Sequence, residues 1–408
     1  MIKKKLRILQ LAPRFPFPPD DGGKIGIANI LKEFSNQGAD VTFFSFYDYN
    51  WNKITRDAND EGKLYADLKL LKHSTKNTPY RIIKSIIYNH SVYIEKHIDN
   101  KIKTYISGLI MEKDFDVVHA DHSCMGKLAL FVKNKLNIPA GLRLHNIEWT
   151  IWKRYAENIK GFSPKKMYVE QQAYYLRKEE KKIYSEMDVC FPITEPDKER
   201  AIELFPEGNY IVAGAGVNID EWNPKQNEKR DSNQLILATT YQWRHNVDAV
   251  RWFIEEIMPE LRKEIPGTTL TLIGKDQPKW LSNYTNLGVN PIGYVDKVQP
   301  YLNKASVYIA PLFVGGGIRI KILEAMAMEL PVVATPLAVE GINAKLEDGI
   351  LLSEDIEGFV KNIIFLMKNP SYTRGLGKSA RKYVAREFSW KKNVELMLDE
   401  YKRLAKFD

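Results

Sequence analysis

The chain has 408 residues, too many for one ordinary core and suited to two domains of about 200 residues each. Its 44% hydrophobic and 27% charged residues are those of a globular protein, and a net charge of +9 points to anionic partners, with nucleotides, lipid headgroups and nucleic acid all qualifying. Cys124 and Cys190 are its only cysteines and lack metal-type spacing, which argues against a disulfide scaffold and makes a reducing cytoplasm the expected compartment.

The start, MIKKKLRILQLAP, has a basic look, but its apolar part is too short for a secretory signal and Pro13 and Pro16 follow at once. No run approaches the roughly 18 to 20 apolar residues that span a bilayer. Residues 6–11 therefore read as a first strand at the centre of a sheet. Gly22 and Gly23 precede a helix over 24–36, Gly38 stops it, and 41–46 reads as the next strand. This is a βαβ unit whose loop lacks the GxGxxG dinucleotide fingerprint. A glycine pair opening a helix at a strand's C-terminal end is nonetheless where open α/β sheets bind ligands; the bland alternative is a plain turn.

Residues 63–113 hold ten Lys or Arg against four Asp or Glu, with Tyr80, Ile83, Ile86, Ile87, Tyr93 and Ile94 interleaved. They read either as helices with solvated basic faces or as a surface for an anionic acceptor or a membrane leaflet. Strands are expected at 115–120 and 140–145. The second ends in HNIEW, which puts His145, Asn146 and Glu148 at a strand's C-terminal end, with His119 and His122 as lining residues nearby. Residues 155–187 are helical in pattern, and 188–194 reads as the last strand of this half. AGAGVNIDEWNP and the polar run KQNEKRDSNQ follow, the best linker candidate.

The second half opens with a strand at 235–239 and an amphipathic helix over 246–261, where Val247, Val250, Phe253, Ile254 and Ile257 recur at helical spacing. A strand at 269–273, a short strand within 287–293 and a further helix and strand lead to PLFVGGGIRIKILEAMAMELPVVAT at 311–335. There Gly315, Gly316 and Gly317 let backbone approach a ligand, because no Cβ intervenes. The helix they open suits a phosphate at its N-terminus. Arg319 and Lys321 add charge, and Glu324, about two turns in, is placed to accept from sugar hydroxyls. A helix over 356–367 and a final helical pair complete the chain. No internal repeat shows at a fixed period, but both halves share a βα grammar, which predicts two doubly wound α/β domains facing one another.

The block GGGIRIKILEAMAMELPVVAT is similar to the signature of glycosyltransferase family 4, GxGxxxKxLEAMAxGxPVVAT. Other blocks resemble the family in the expected order. PFPPDDGGKIGIANILKEFSNQGADV resembles its N-terminal glycine loop and helix. AGAGVNIDEW resembles the interdomain element, with Asn218 where Asp is usual. LTLIGK and IGYVDKVQPYLNKASVYIAP resemble the strand and base-contact segments, and FSWKKNVELMLDEYKRL the last helix. The match covers nearly the whole chain and is weakest over 51–113.

The resemblance implies a GT-B fold, two facing Rossmann-like doubly wound domains with an interdomain active-site cleft. Residues 1–222 would form the acceptor-side domain, with the C-terminal helix 389–408 packing back on it, and residues 223–388 the nucleotide-sugar domain. It implies a retaining hexosyl transfer from a nucleotide-diphosphate sugar to a glycan or lipid-linked acceptor in surface polysaccharide biosynthesis, with no cofactor and no metal. Protein cations and helix dipoles must then stabilise the diphosphate. The expected place is the cytoplasm, peripheral to an anionic inner membrane face. Nucleic acid is not expected, because the basic residues are dispersed and form no binding module.

Carried over by residue, Val295 contacts the base and Glu324 the ribose. Arg319, Lys321 and the backbone near Gly316, Gly317 and Ile318 hold the diphosphate, and Gly22 and Gly23 close over the phosphates. His145 bonds the donor sugar or the acceptor and Glu148 orients it, while His119 and His122 line the acceptor side. Three departures stand out. Gly316 replaces a usual Glu. Thr240 and His245 replace a usual Arg and Lys, with Arg244 as a nearby substitute. The Gly usual just ahead of Pro331 is missing, where Glu329 and Leu330 stand. The same architecture also serves sugar-nucleotide epimerases, which turn over donor without an acceptor, and would serve an inactive nucleotide-sugar-binding subunit.

Overall fold

The computed structural model describes residues 4–19, 21–47, 56–159, 161, 163–225, 228–314 and 318–407. The glycine triplet 315–317, and with it the expected donor residues Gly316 and Gly317, lies outside the described residues. The chain divides into two compact units, Met1–Gly214 with Trp390–Asp408, and Ala215–Ser389.

The first unit is built on a six-stranded parallel sheet: β1 Arg7–Ala12, β2 Asp40–Tyr47, β3 Asp67–Lys72, β4 Val117–Asp121, β5 Ala140–Leu144 and β6 Val189–Pro192, in the order β3-β2-β1-β4-β5-β6. β1, β4 and β5 are buried almost throughout, polar residues included, because helices cover both faces. The helix Gly22–Asn36 starts where Asp21 accepts from the Lys24 N–H, and buries Ile27, Ile30, Leu31 and Phe34. The last helix, Trp390–Leu404, belongs to this unit. It buries Tyr401 completely, with its hydroxyl 2.7 Å from His119 Nδ1. Gly141 makes room for that ring: a Cβ there would lie 2.1 Å from the Tyr401 hydroxyl.

The second unit repeats the plan with β7 Gln234–Ala238, β8 Thr269–Ile273, β9 Val289–Gly293, β10 Val307–Ala310, β11 Val332–Ala334 and β12 Ile350–Leu352, all parallel, in the order β12-β11-β10-β7-β8-β9. Two details differ from expectation. The single helix expected over 246–261 is three segments, Arg244–Trp252, a π turn at Phe253–Ile257, and Met258–Glu264. Pro259 has no N–H to give back to the previous turn, and the ladder loosens just ahead of it, with the Met258 N–H bonded to Phe253 O. The division of the chain also falls at Gly214 and Ala215, ahead of residue 222. The intervening residues are stitched to the second unit: the Val217 N–H donates to Phe388 O at 2.9 Å, and Arg381 donates to the carbonyls of Ile219 and Trp222 at 3.0 and 2.6 Å.

Gly141→Ala should lower stability by roughly 1–3 kcal/mol, because the overpacked methyl must displace Tyr401 or the strand. A thermal melt reads this directly, and an unchanged midpoint would mean that Tyr401 does not seat there.

Candidate active site

Both sheets have the doubly wound order in which winding reverses between the first and fourth strands of the unit. That reversal opens a crevice at the strands' carboxyl ends: beside β1 and β4 in the first unit, and beside β7 and β10 in the second. The expected site residues collect at these two points, with exceptions.

In the second unit the loops after β7 and β10 meet there. The Asn246 side chain donates to Thr240 O at 2.8 Å, Tyr308 OH donates to Ala238 O at 3.0 Å, and the Trp252 ring stands edge-on to Phe313 with centroids 4.9 Å apart. The helix Ile320–Ala327 opens beyond the β10 loop, and Arg319 is its N-cap by backbone, with no side-chain cap hydrogen bond. This places two cations at the positive end of a helix. Burial lowers the Arg319 pKa, with Glu340 opposing. Burial also lowers the His245 pKa and Arg319 lowers it further, so these two residues share one field.

Lys321 lies half-exposed, its Nζ 2.9 Å from Glu324 Oε2 and 5.9 Å from the centre of the Trp222 ring. Glu324 is buried, and burial raises its pKa against the pull of Lys321. Val295, Ile318 and Trp222 pack half-buried against the same core cluster. Arg244 is almost fully exposed, 3.7 Å from Asp248, and lines a hollow of about 480 Å³ with Tyr241, Gln242, Val247 and Arg251.

In the first unit the crevice is floored by a buried polar network centred on Asp121, the last residue of β4. Its carboxylate accepts from Gln10 Nε2 at 2.7 Å and lies 3.6 Å from His119 Nε2, 3.4 Å from His145 Nε2 and 4.0 Å from Arg143. Burial alone would raise the Asp121 pKa, but the charge and hydrogen bond of His119 outweigh it and hold the group well below the usual carboxylate range. Arg143 donates to His145 Nε2 at 2.8 Å, so the neutral imidazole carries its proton on Nδ1. Burial, then Arg143, lowers the His145 pKa to about 4, with Asp121 opposing; the ring is neutral at pH 7.

His122 has a positive φ of 72° and stacks on His145, ring centroids 3.6 Å apart. Gly26 allows the helix Gly22–Asn36 to cross His145 and Arg143: a Cβ would come 3.1 Å from His145 Cε1 and from the Arg143 guanidinium. At that helix's start, Asp21 also accepts from both Arg14 guanidinium nitrogens, at 2.8 and 2.6 Å. The Arg14 side chain lies against Gly23, where a Cβ would be 2.4 Å away, while Gly22 faces open space.

Two expectations from the sequence need correction here. His119 does not line a surface. It is fully buried between Asp121 and Tyr401 and supports the network from beneath. Glu148 does not orient His145. It faces Asn146, 3.4 Å away, and Tyr93, and it lies against the buried Glu180, which accepts from the Glu148 and Trp149 N–H groups. Asp121 and Arg143 hold His145 instead. Gln10, Asp121, Arg143 and Gly26 escaped the reading of the sequence. The available signals were a charged residue inside the apolar run AGLRLH and an Asp directly after FDVVHA. Among the described residues no group of three or more His, Cys, Asp and Glu side chains is arranged to hold a metal ion.

Comparison with known proteins bears on what this arrangement serves. Residues 233–369 match the model of a family described as "Glycosyl transferases group 1". An uncharacterized 44.6 kDa protein in the cps region of Klebsiella pneumoniae is 23% identical over 95% of this chain and 97% of its own length. An uncharacterized glycosyltransferase of Methanocaldococcus jannaschii, MJ1069, is 26% identical over 55% of this chain and 59% of its own. Among solved structures, the sucrose-phosphate synthase of Thermosynechococcus elongatus superposes over 99% of this chain and 100% of its own with a TM-score of 0.71 at 15% identity, a likeness of fold.

Burial raises the Glu148 pKa from 4.5 to about 7, and burial together with Glu148 raises that of Glu180 to about 7. A raised carboxyl pKa stabilises the fold below its unfolded value and loses that contribution as pH rises through the folded one. Glu148→Gln should therefore match the wild type near pH 4.5 and exceed it at pH 8 by on the order of 3 kcal/mol. Melting curves at the two pH values decide it; a variant less stable at pH 8 would show the carboxylate to be paired.

Proposed function

We propose, from the premise that this chain is a glycosyltransferase of the GT-B type carrying a glycosyl transferases group 1 domain over residues 233–369, that it catalyses retaining, metal-independent transfer of a hexosyl group from a nucleotide-diphosphate sugar. The acceptor is a glycan or a lipid-linked glycan of a surface polysaccharide, met at an anionic membrane face. The observation that carries the reading is the placing of Arg319 and Lys321 at the start of the helix Ile320–Ala327, on the carboxyl side of β10, with Glu324 buried one turn later.

In this reading Arg319, Lys321 and the first N–H groups of that helix hold the diphosphate. Glu324 accepts from the ribose hydroxyls, and Val295 and Ile318 offer apolar surface to the base. In the first unit the Nδ1–H of neutral His145 donates to a sugar hydroxyl, with His122 stacked beside it. Asp121, Arg143 and Gln10 act as positioning residues. The bond from the anomeric carbon to the leaving phosphate oxygen breaks, and a bond from that carbon to the acceptor oxygen forms on the same face. The acceptor's proton passes to the departing phosphate oxygen, so no side-chain nucleophile is required. Rate enhancement then comes from positioning and from stabilising charge on the leaving diphosphate.

Lys321→Ala should reduce kcat by roughly two orders of magnitude, about 3 kcal/mol, if its ammonium meets the leaving group. Unchanged turnover would remove it from that role. A melting screen against nucleotide sugars identifies the donor: the correct one at about 100 times its Kd should add roughly 2.7 kcal/mol to stability. Turnover of that donor should persist in EDTA, and NMR of the product should show the donor's anomeric configuration. Loss of activity on chelation, or an inverted product, would overturn the mechanism.

A further inference from the structure

The helix Pro79–Ile87 faces the wrong way for one packed on a protein core. A surface helix ordinarily buries its apolar stripe and solvates its polar one. Here Ser85 is the buried residue of the helix, while Tyr80, Ile83, Ile86 and Ile87 are 72%, 58%, 41% and 65% exposed. Tyr88, just past its end, is 66% exposed. Positions 80, 83, 84 and 87 share one side of a helix, so exposed Lys84 stands among these apolar residues.

The helix does not depend on its outer face for its place. Thr78 caps it and Pro79 opens it. Gln172 Nε2 donates to Ser85 Oγ at 3.2 Å and Gln172 Oε1 accepts from the Val92 N–H at 2.9 Å. Tyr175 OH donates to Asn89 Oδ1 at 2.6 Å, and Arg81 donates to the carbonyls of Ser74 and Lys76 at 2.7 and 2.8 Å. Polar bonds thus hold the inner side and leave a row of large apolar groups in water.

Charge indicates what would cover them. Residues 73–94 contain Lys76, Arg81 and Lys84 and not one Asp or Glu. Two copies meeting through this face would set like charges against each other, which is unfavourable. A leaflet of anionic lipid satisfies both features: the isoleucines and tyrosines enter the headgroup and acyl boundary, and the lysine heads reach phosphate. We infer that the exposed face of the helix Pro79–Ile87, with Tyr88, docks on an anionic membrane surface. The inference rests on the reading that the acceptor is lipid-linked, and it names the surface that would bring the enzyme to such an acceptor.

The test uses the full chain and vesicles of phosphatidylcholine, with or without about 30% phosphatidylglycerol. Co-sedimentation should appear with the anionic vesicles, weaken as salt is added, and be nearly absent with phosphatidylcholine alone. The double variant Ile83→Asp, Ile87→Asp should cut partitioning at least roughly tenfold, and Lys84→Gln by roughly fivefold. Both should keep the wild-type melting temperature and the wild-type donor-induced melting shift. Absence of wild-type binding to the anionic vesicles, or wild-type binding by the double variant, overturns the inference. So does a concentration-dependent dimer that the double variant dissolves, which would assign the face to a second copy. A wild-type protein that binds vesicles but shows no melting shift with any nucleotide sugar would instead count against the glycosyl-transfer reading alone.

Discussion

Parallel strands cannot be joined by tight turns; each must be reached by a crossover, and crossovers of one hand wind helices onto both faces of the sheet. In both units this constraint sends every strand's carboxyl end to one edge, and the change of winding direction leaves a crevice there. The rest of the chemistry depends on that edge. Arg319 caps a helix that begins beyond β10, and Asp121 ends β4. The two units follow the same order with different fittings. One edge presents cations at a helix start; the other presents a buried carboxylate that organises imidazoles.

The Asp121 network shows why a buried charge must be surrounded before it is useful. An isolated carboxylate at that depth would take up a proton. Gln10 from β1, Arg143 from β5 and His119 from its own strand keep it charged. The field around it then favours a neutral His145 with its proton directed to Nδ1, a donor rather than a cation. Tyr401 closes the network from a helix some 280 residues away in sequence, and Gly141 accommodates the ring. The last helix therefore supports the floor of the first unit's crevice as well as its core.

This explains which parts of the molecule were legible in the sequence. Two βα-repeating halves, the strand-end position of His145, and the helix start bearing Arg319, Lys321 and Glu324 follow from local pattern: periodicity, a glycine-rich loop and the cation spacing. Gln10, Asp121 and Arg143 do not, because their meaning is pairwise and the partners lie up to 111 residues apart. The same limit misplaced Glu148, since its backbone lies at the expected strand end while its side chain turns toward Asn146 and Tyr93. Residues 63–113 read only as a basic stretch with apolar residues interleaved, because the inversion of the helix Pro79–Ile87 depends on Gln172 and Tyr175, which no local pattern announces.

The pairing of Lys321 with Glu324 links the two ends of the proposed donor. Without ligand each answers the other at 2.9 Å, and Glu324 is buried too deeply to be left as a lone anion without cost. A diphosphate arriving at the helix start competes for Lys321 with two charges against one. In the proposed reading, drawing the ammonium away would remove the main counter-charge of Glu324, which would then need a replacement donor to stay ionised. Ribose hydroxyls are such donors, attached at a fixed distance from the phosphates that caused the change. A bare phosphate would draw off Lys321 and leave Glu324 unsatisfied, whereas a nucleotide supplies both replacements together. In the proposed reading the ion pair would therefore favour the whole nucleotide over its parts, through three residues of spacing on one helix turn.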